Sequence, residues 1–74
     1  MASLPTVSGR AAAAAFEKAG FEAKRQTGSH IILVKSGALL TLSVPNHREL
    51  KPGTLRALIR KSGLSVAEFI ELLR

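Results

Sequence analysis

Few side chains in this sequence can move a proton near neutral pH: the chain has two histidines, His30 and His47, and no cysteine. His30 follows Gly28-Ser29, a dipeptide suited to a tight turn, and precedes Ile31-Ile32-Leu33-Val34, a run of strand type. A histidine so placed sits on a rigid element near an edge that substrate can reach. Its neutral imidazole can take the proton of a ribose 2′-hydroxyl, so that the oxygen attacks the neighbouring phosphorus. Lysine or arginine beside it would stabilise the charge that develops on the phosphate. Such a base is worth about 10² to 10⁴ in rate, which describes a modest nuclease. The residues leave a second reading open, in which His30 is half-buried and hydrogen-bonded to backbone. His47, in the polar segment Asn46 to Lys51, is either an exposed loop residue or an auxiliary acid for the leaving oxygen.

Charge supplies the substrate class. With 11 Lys+Arg against 5 Asp+Glu the chain carries +6, which draws it to polyanions through phosphate contacts and counterion release. Seven of these cations are candidate phosphate contacts, Lys24, Arg25, Lys35, Lys51, Arg56, Arg60 and Lys61, and Lys24, Arg25, Lys51, Arg56 and Arg60 form the candidate RNA-binding set. Each, taken singly, also fits a solvated basic surface. Ser29 either donates to a phosphate oxygen or caps its turn. Gly28 and Gly53 fit a close approach to phosphate, a positive φ, or plain turn geometry. Three phenylalanines with no tyrosine or tryptophan leave no platform for stacking bases.

Other chemistry is disfavoured. Five glutamates, no aspartate and no histidine pair at ligand spacing give no basis for a metal or other cofactor. The absence of cysteine excludes disulfides and a thiol nucleophile. The longest apolar run, Ala11 to Phe16, falls far short of the ~20 residues that span a bilayer, so no membrane partner and a cytoplasmic location are expected. Seventy-four residues make one domain, 1–74, that buries only ~60% of its unfolded surface and holds roughly 4 to 11 kcal/mol of stability.

The elements that must position these residues follow from periodicity. Ser8 suits an N-cap, Val7 a staple onto Ala12, and the alanine-rich segment a helix through Ala19. Gly20 supplies a left-handed stop and brings Phe21 back onto Phe16. From Phe21 the period becomes two, with Phe21, Ala23 and Arg25 on one side and Glu22, Lys24 and Gln26 on the other. His30 to Lys35 reads as a central strand whose core face is undetermined. After the turn Ser36-Gly37-Ala38, residues 39–44 form a third strand with Leu40, Leu42 and Val44 on one side, closed by Pro45. Pro52 starts a helix that buries Leu55, Leu58 and Ile59 and ends at Gly63. Ser65 and Glu68 form a capping box for a last helix that turns Val66, Phe69, Ile70 and Leu73 inward, with Leu64 stapled onto Phe69. The expected fold is α+β, α-β-β-β-α-α, a three-stranded antiparallel sheet with helices on one face.

At this level the chain resembles the HicA toxins, small mRNA interferases of toxin–antitoxin pairs. The likeness rests on Leu4-Pro5 and Val7-Ser8-Gly9, Ala19-Gly20-Phe21, Gly28-Ser29-His30, and Val44-Pro45-Asn46-His47. It continues through Glu49-Leu50-Lys51-Pro52-Gly53-Thr54-Leu55, Ala57-Leu58-Ile59 and Gly63-Leu64-Ser65. The resemblance implies a fold like double-stranded-RNA-binding domains and cleavage of mRNA in which His30 is catalytic. It also implies a turn shaped by Gly28 and Ser29, and a HicB-type antitoxin that covers the His30 site. The sequence departs from many members in its short hairpin at Ser36-Gly37-Ala38. The expectation is a metal-independent endoribonuclease toxin; the alternative is a non-catalytic RNA-binding module of the same fold. A DNA-reading helix-turn-helix fits poorly, because the last helix carries Glu68 and Glu71 against Arg74 alone.

Overall fold

Ser8 opens the first helix by accepting a hydrogen bond from the Ala11 N–H on its side-chain oxygen, 3.0 Å away. Six elements follow in the computed structural model, which describes residues 4–37 and 39–74: α1 (Gly9–Lys18), β1 (Glu22–Gln26), β2 (His30–Lys35), β3 (Leu40–Pro45), α2 (Pro52–Ser62) and α3 (Val66–Leu72). The expected order and class are those observed. Ala38, in the expected hairpin turn, lies outside the described residues.

α1 stops where glycine allows it to. Gly20 adopts φ +105°, the Gly20 N–H donates to the Glu17 carbonyl, and the Phe21 N–H reaches back to the Phe16 carbonyl. That return sets the Phe21 ring edge-on to Phe16 with centroids 6.0 Å apart, as the sequence pattern expects. α2 ends likewise at Gly63, φ +87°. The Ser65–Glu68 capping box at the start of α3 is formed in both directions.

The three strands lie in the order β1-β2-β3, both pairs antiparallel. Alternation along β2 sends Ile31 and Leu33 to the side carrying Leu42 and Val44 of β3, and all four are buried. This settles which face of β2 is core. α1 packs on that face and α2 against β3, and Phe16, Leu55, Ile59 and the fully buried Phe69 of α3 complete the interior. Leu72, absent from the expected inward set, also packs against it.

One strand departs from simple alternation. The register runs Glu22 to Val34 and Ala23 to Leu33, then Arg25 to Ile32 and Gln26 to Ile31, so Lys24 is an extra residue in a β-bulge. Ala23 faces the core side with Leu33, whereas Arg25 faces the opposite side with Ile32. The expectation that Phe21, Ala23 and Arg25 share a side is therefore corrected at Arg25, because the bulge resets the parity by one residue.

Candidate functional site on the open face of the sheet

The helices leave the other sheet face bare. On it stand His30, Ile32 and Val34 of β2, Arg25 of β1, and Thr41 and Ser43 of β3. His30 begins β2 and is half-buried, paired across to Pro45. Its turn is held on both sides. The Thr27 N–H donates to the His30 carbonyl at 2.8 Å, and the His30 N–H donates to the Thr27 hydroxyl at 2.9 Å. The backbone of His30 is thereby fixed without using its ring. The ring nitrogen Nδ1 lies 2.9 Å from the Ser29 hydroxyl, a contact that commits Nδ1 to Ser29. The imidazole thus engages a side chain, not the backbone partner of the plainer reading.

A second segment closes on this turn. The Asn46 N–H donates to the Ser29 carbonyl at 2.8 Å, tying the loop after β3 to the residue before His30. The same loop is gripped by the chain ahead of α1. The Gly9 N–H donates to the His47 carbonyl at 2.9 Å, and the Leu50 N–H donates to the Val7 carbonyl at 2.8 Å. Gly9 packs so closely there that a Cβ would fall 1.9 Å from the Pro45 carbonyl oxygen. Among the described residues, this is the glycine that close packing demands, and sequence reasoning missed it because the demand comes from a strand far along the chain. Gly28 and Gly53 show the reverse: neither has positive φ, and nothing lies within 4 Å of an added Cβ at either. A positive φ is thus excluded as the reason for glycine at both, and no internal contact requires it.

The candidate cations divide among several surroundings. Arg25, placed by the bulge, stands on the face of His30, opposite Ile32 and one side-chain position along. Lys24 pairs with Glu22, both exposed, and its ammonium holds the Glu22 carboxyl below the usual carboxylate range by hydrogen bonding and charge. Part of the Lys24 charge is therefore already answered. Lys51 is exposed at the start of α2, directly after the gripped loop, and makes no side-chain cap. Lys35 lies over the Phe21 ring, 5.5 Å from its centroid, on the core side of the sheet. Arg56 and Arg60, farther along α2 from Lys51, line a groove between α2 and α3. His47 is exposed in the loop that starts at Asn46, two residues beyond the strand partner of His30. No group of three or more His, Asp or Glu able to hold a metal comes together among the described residues. Among those residues, too, no helix is long and apolar enough to cross a membrane.

A three-stranded antiparallel sheet backed by helices on one face, α-β-β-β-α at its centre, defines an α+β domain of the double-stranded-RNA-binding type. Its first and middle strands meet in the turn that carries Gly28-Ser29-His30. The family model described as HicA toxin of bacterial toxin-antitoxin matches residues 9–64, most of the chain, including that turn and the loop closing on it. The chain belongs to the HicA toxin family and is a toxin of that class. A search of curated proteins found no match.

Proposed function

We propose that this toxin is an endoribonuclease that cuts mRNA by intramolecular attack of a ribose 2′-hydroxyl, with His30 as the general base or acid. The observation that carries the reading is the Ser29–His30 contact on a sheet face that no helix covers. With Nδ1 engaged by Ser29, Nε2 is the nitrogen available to substrate. If Nδ1–H donates to the Ser29 oxygen, Nε2 is the free base; if the Ser29 hydroxyl donates to Nδ1, Nε2 carries a proton and acts as acid. In the base role Nε2 takes the 2′-proton, the O2′–P bond forms, and the bond from phosphorus to the 5′ oxygen breaks. The departing oxygen takes a proton from His47 or from water. The products are a 2′,3′-cyclic phosphate and a 5′-hydroxyl, and the balance needs no other reactant.

Arg25 is the cation best placed to neutralise charge on the phosphate, because the bulge brings it to the face of His30. Lys24 and Lys51 contribute longer-range attraction for the RNA backbone. Gly28, with open space where a side chain would be, lets a phosphate approach the turn, and Ser29 borders the same approach. In the bacterial pair a HicB-type antitoxin covers the His30 face.

The test is cleavage of RNA by the wild type and by His30→Ala in EDTA, with fragment ends mapped and both proteins checked for folding. Cleavage that requires His30 and leaves 2′,3′-cyclic phosphate ends is the expected result. Equal cleavage by both proteins would remove His30 from the mechanism. RNA binding with no cleavage by either would identify a non-catalytic RNA-binding module.

A further inference from the structure

On the helical side of the sheet, away from His30, α2 and α3 frame a groove of about 260 Å³ lined by Arg56, Ile59, Arg60, Leu64, Ser65 and Val66. Its floor is apolar: Ile59 is buried, and Leu64 and Val66 are half-buried. Arg56 and Arg60 lie one turn apart on α2 and reach the rim together. No carboxylate lies within ion-pair distance of either among the described residues. Glu68, the acid nearest in sequence to the groove-lining segment Leu64 to Val66, is occupied by the capping box: its Oε1 accepts the Ser65 N–H at 2.8 Å, and its own N–H donates to the Ser65 oxygen at 3.1 Å. The groove therefore joins an apolar floor to two guanidiniums without a counter-charge.

We propose that this groove docks an acidic, aliphatic segment of a protein partner, seating Leu- or Ile-type side chains on Ile59, Leu64 and Val66 and carboxylates on Arg56 and Arg60. The sequence places both arginines in the RNA-binding set; their surroundings favour a polypeptide. An RNA backbone brings phosphates for the rim but no aliphatic group for the floor. Bases need aromatic planes to stack on, and Phe16, Phe21 and Phe69 are all buried. Carboxylates suit a guanidinium fork in bidentate geometry, and an adjoining apolar floor adds the buried area that anchors a short peptide. Since the open sheet face lies on the other side of the strands, a partner held here leaves His30 uncovered unless a second segment of it reaches around. The inference rests on the toxin–antitoxin reading only for the source of the partner, not for the chemistry of the groove.

Amide shift mapping on the full ¹⁵N-labelled chain tests it with three probes: a short amphipathic Glu/Leu peptide, the same peptide with Leu replaced by Ser, and a non-cleavable 2′-O-methyl oligouridylate. The expected result is saturable shifts at Arg56, Ile59, Arg60, Leu64 and Val66 with the Glu/Leu peptide. Binding should weaken at least about tenfold with the Ser peptide, the loss of roughly 1.4 kcal/mol. The neutral variant Arg56→Gln/Arg60→Gln should bind the Glu/Leu peptide more weakly than wild type, and Arg56→Glu/Arg60→Glu more weakly still, each with its amide dispersion intact. Shifts at these amides produced by the oligouridylate and not by the peptide would reassign the groove to RNA. No saturable shift from the Glu/Leu peptide, or equal binding of the Ser peptide, would overturn the proposal. Neither readout requires RNA cleavage, so a failure here is distinct from a failure of the nuclease reading.

Discussion

The two faces of the sheet are made from the same strands and serve opposite ends. On the inner face Ile31, Leu33, Leu42 and Val44 are buried; on the outer face, one residue out of phase, Thr41 and Ser43 are exposed and His30, Ile32 and Val34 only half-buried. A period of two thus separates the residues that hold the fold from those on the uncovered face, where the proposed cleavage site lies. Changes on the outer face should therefore be read out in rate and changes on the inner face in stability. His30→Ala tests the outer face most strongly. We expect cleavage to fall by about 10² to 10⁴, with little movement of Tm, because the backbone hydrogen bonds of His30 do not use its ring. Initial rates paired with thermal unfolding check this, and a parallel collapse of Tm would break the division between faces.

On the inner face the matching change is Leu33→Ala. Leu33 is fully buried in the central strand, so its truncation should cost about 2 to 5 kcal/mol in urea unfolding. That is a large part of the stability available to a chain of this size. Cleavage should fall only as far as the folded fraction falls. A rate loss in excess of unfolding would show that the inner face shapes the site directly.

Two glycines sharpen the contrast, Gly28 within the His30 turn and Gly9 packed on Pro45, the strand partner of His30. Gly9→Ala would drive a methyl carbon into the Pro45 carbonyl, and backbone cannot give way as a flexible side chain can. We expect a loss of about 1 to 3 kcal/mol or more, the cost of overpacking, together with loosening of the loop that reaches Ser29. Gly28→Ala meets no atom and requires no change of φ sign, so stability should stay within about 0.5 kcal/mol. Its effect belongs in RNA cleavage, through the KM for RNA. If Gly28→Ala cleaves as well as wild type, the open space at this turn is not the approach to substrate.

Much of this arrangement was legible in the sequence because its causes are local. The Gly20 stop with its Phe16–Phe21 contact, the Ser8 cap and the Ser65–Glu68 box depend on residues within a turn or two of one another. The first and third strands followed from alternation, the middle one from its unbroken run Ile31 to Val34 without its core face, and the Gly28-Ser29-His30 turn from its turn residues. The bulge at Lys24 was not legible, since nothing in Glu-Ala-Lys-Arg-Gln marks an extra residue, and it changed the face on which Arg25 stands. Gly9 was illegible for a related reason: its need for no side chain is created by Pro45, and only the packing of α1 against the end of β3 brings them together. The pairing of two arginines with an apolar floor likewise appears only when α2 and α3 meet.

The smallest expected effect concerns two adjacent leucines, Leu39 just before β3 and Leu40 at its start. Leu40 packs partly against the core, whereas Leu39 is 94% exposed and holds φ +55°, a left-handed conformation that costs an ordinary L-residue about 1 kcal/mol or more. Leu39 therefore carries backbone strain with no burial to offset it. Asparagine tolerates that region better, and unlike glycine it does not add much freedom to the unfolded chain. Leu39→Asn should raise stability by about 0.5 kcal/mol in urea unfolding, with RNA cleavage unchanged because the residue stands at the end of the strand far from Pro45 and His30. Leu40→Asn should do the opposite, losing stability through the contacts it makes with the core. If Leu39→Asn is instead destabilising, the leucine is packing against something at the hairpin tip, and that end of the sheet would have to be counted with the buried face.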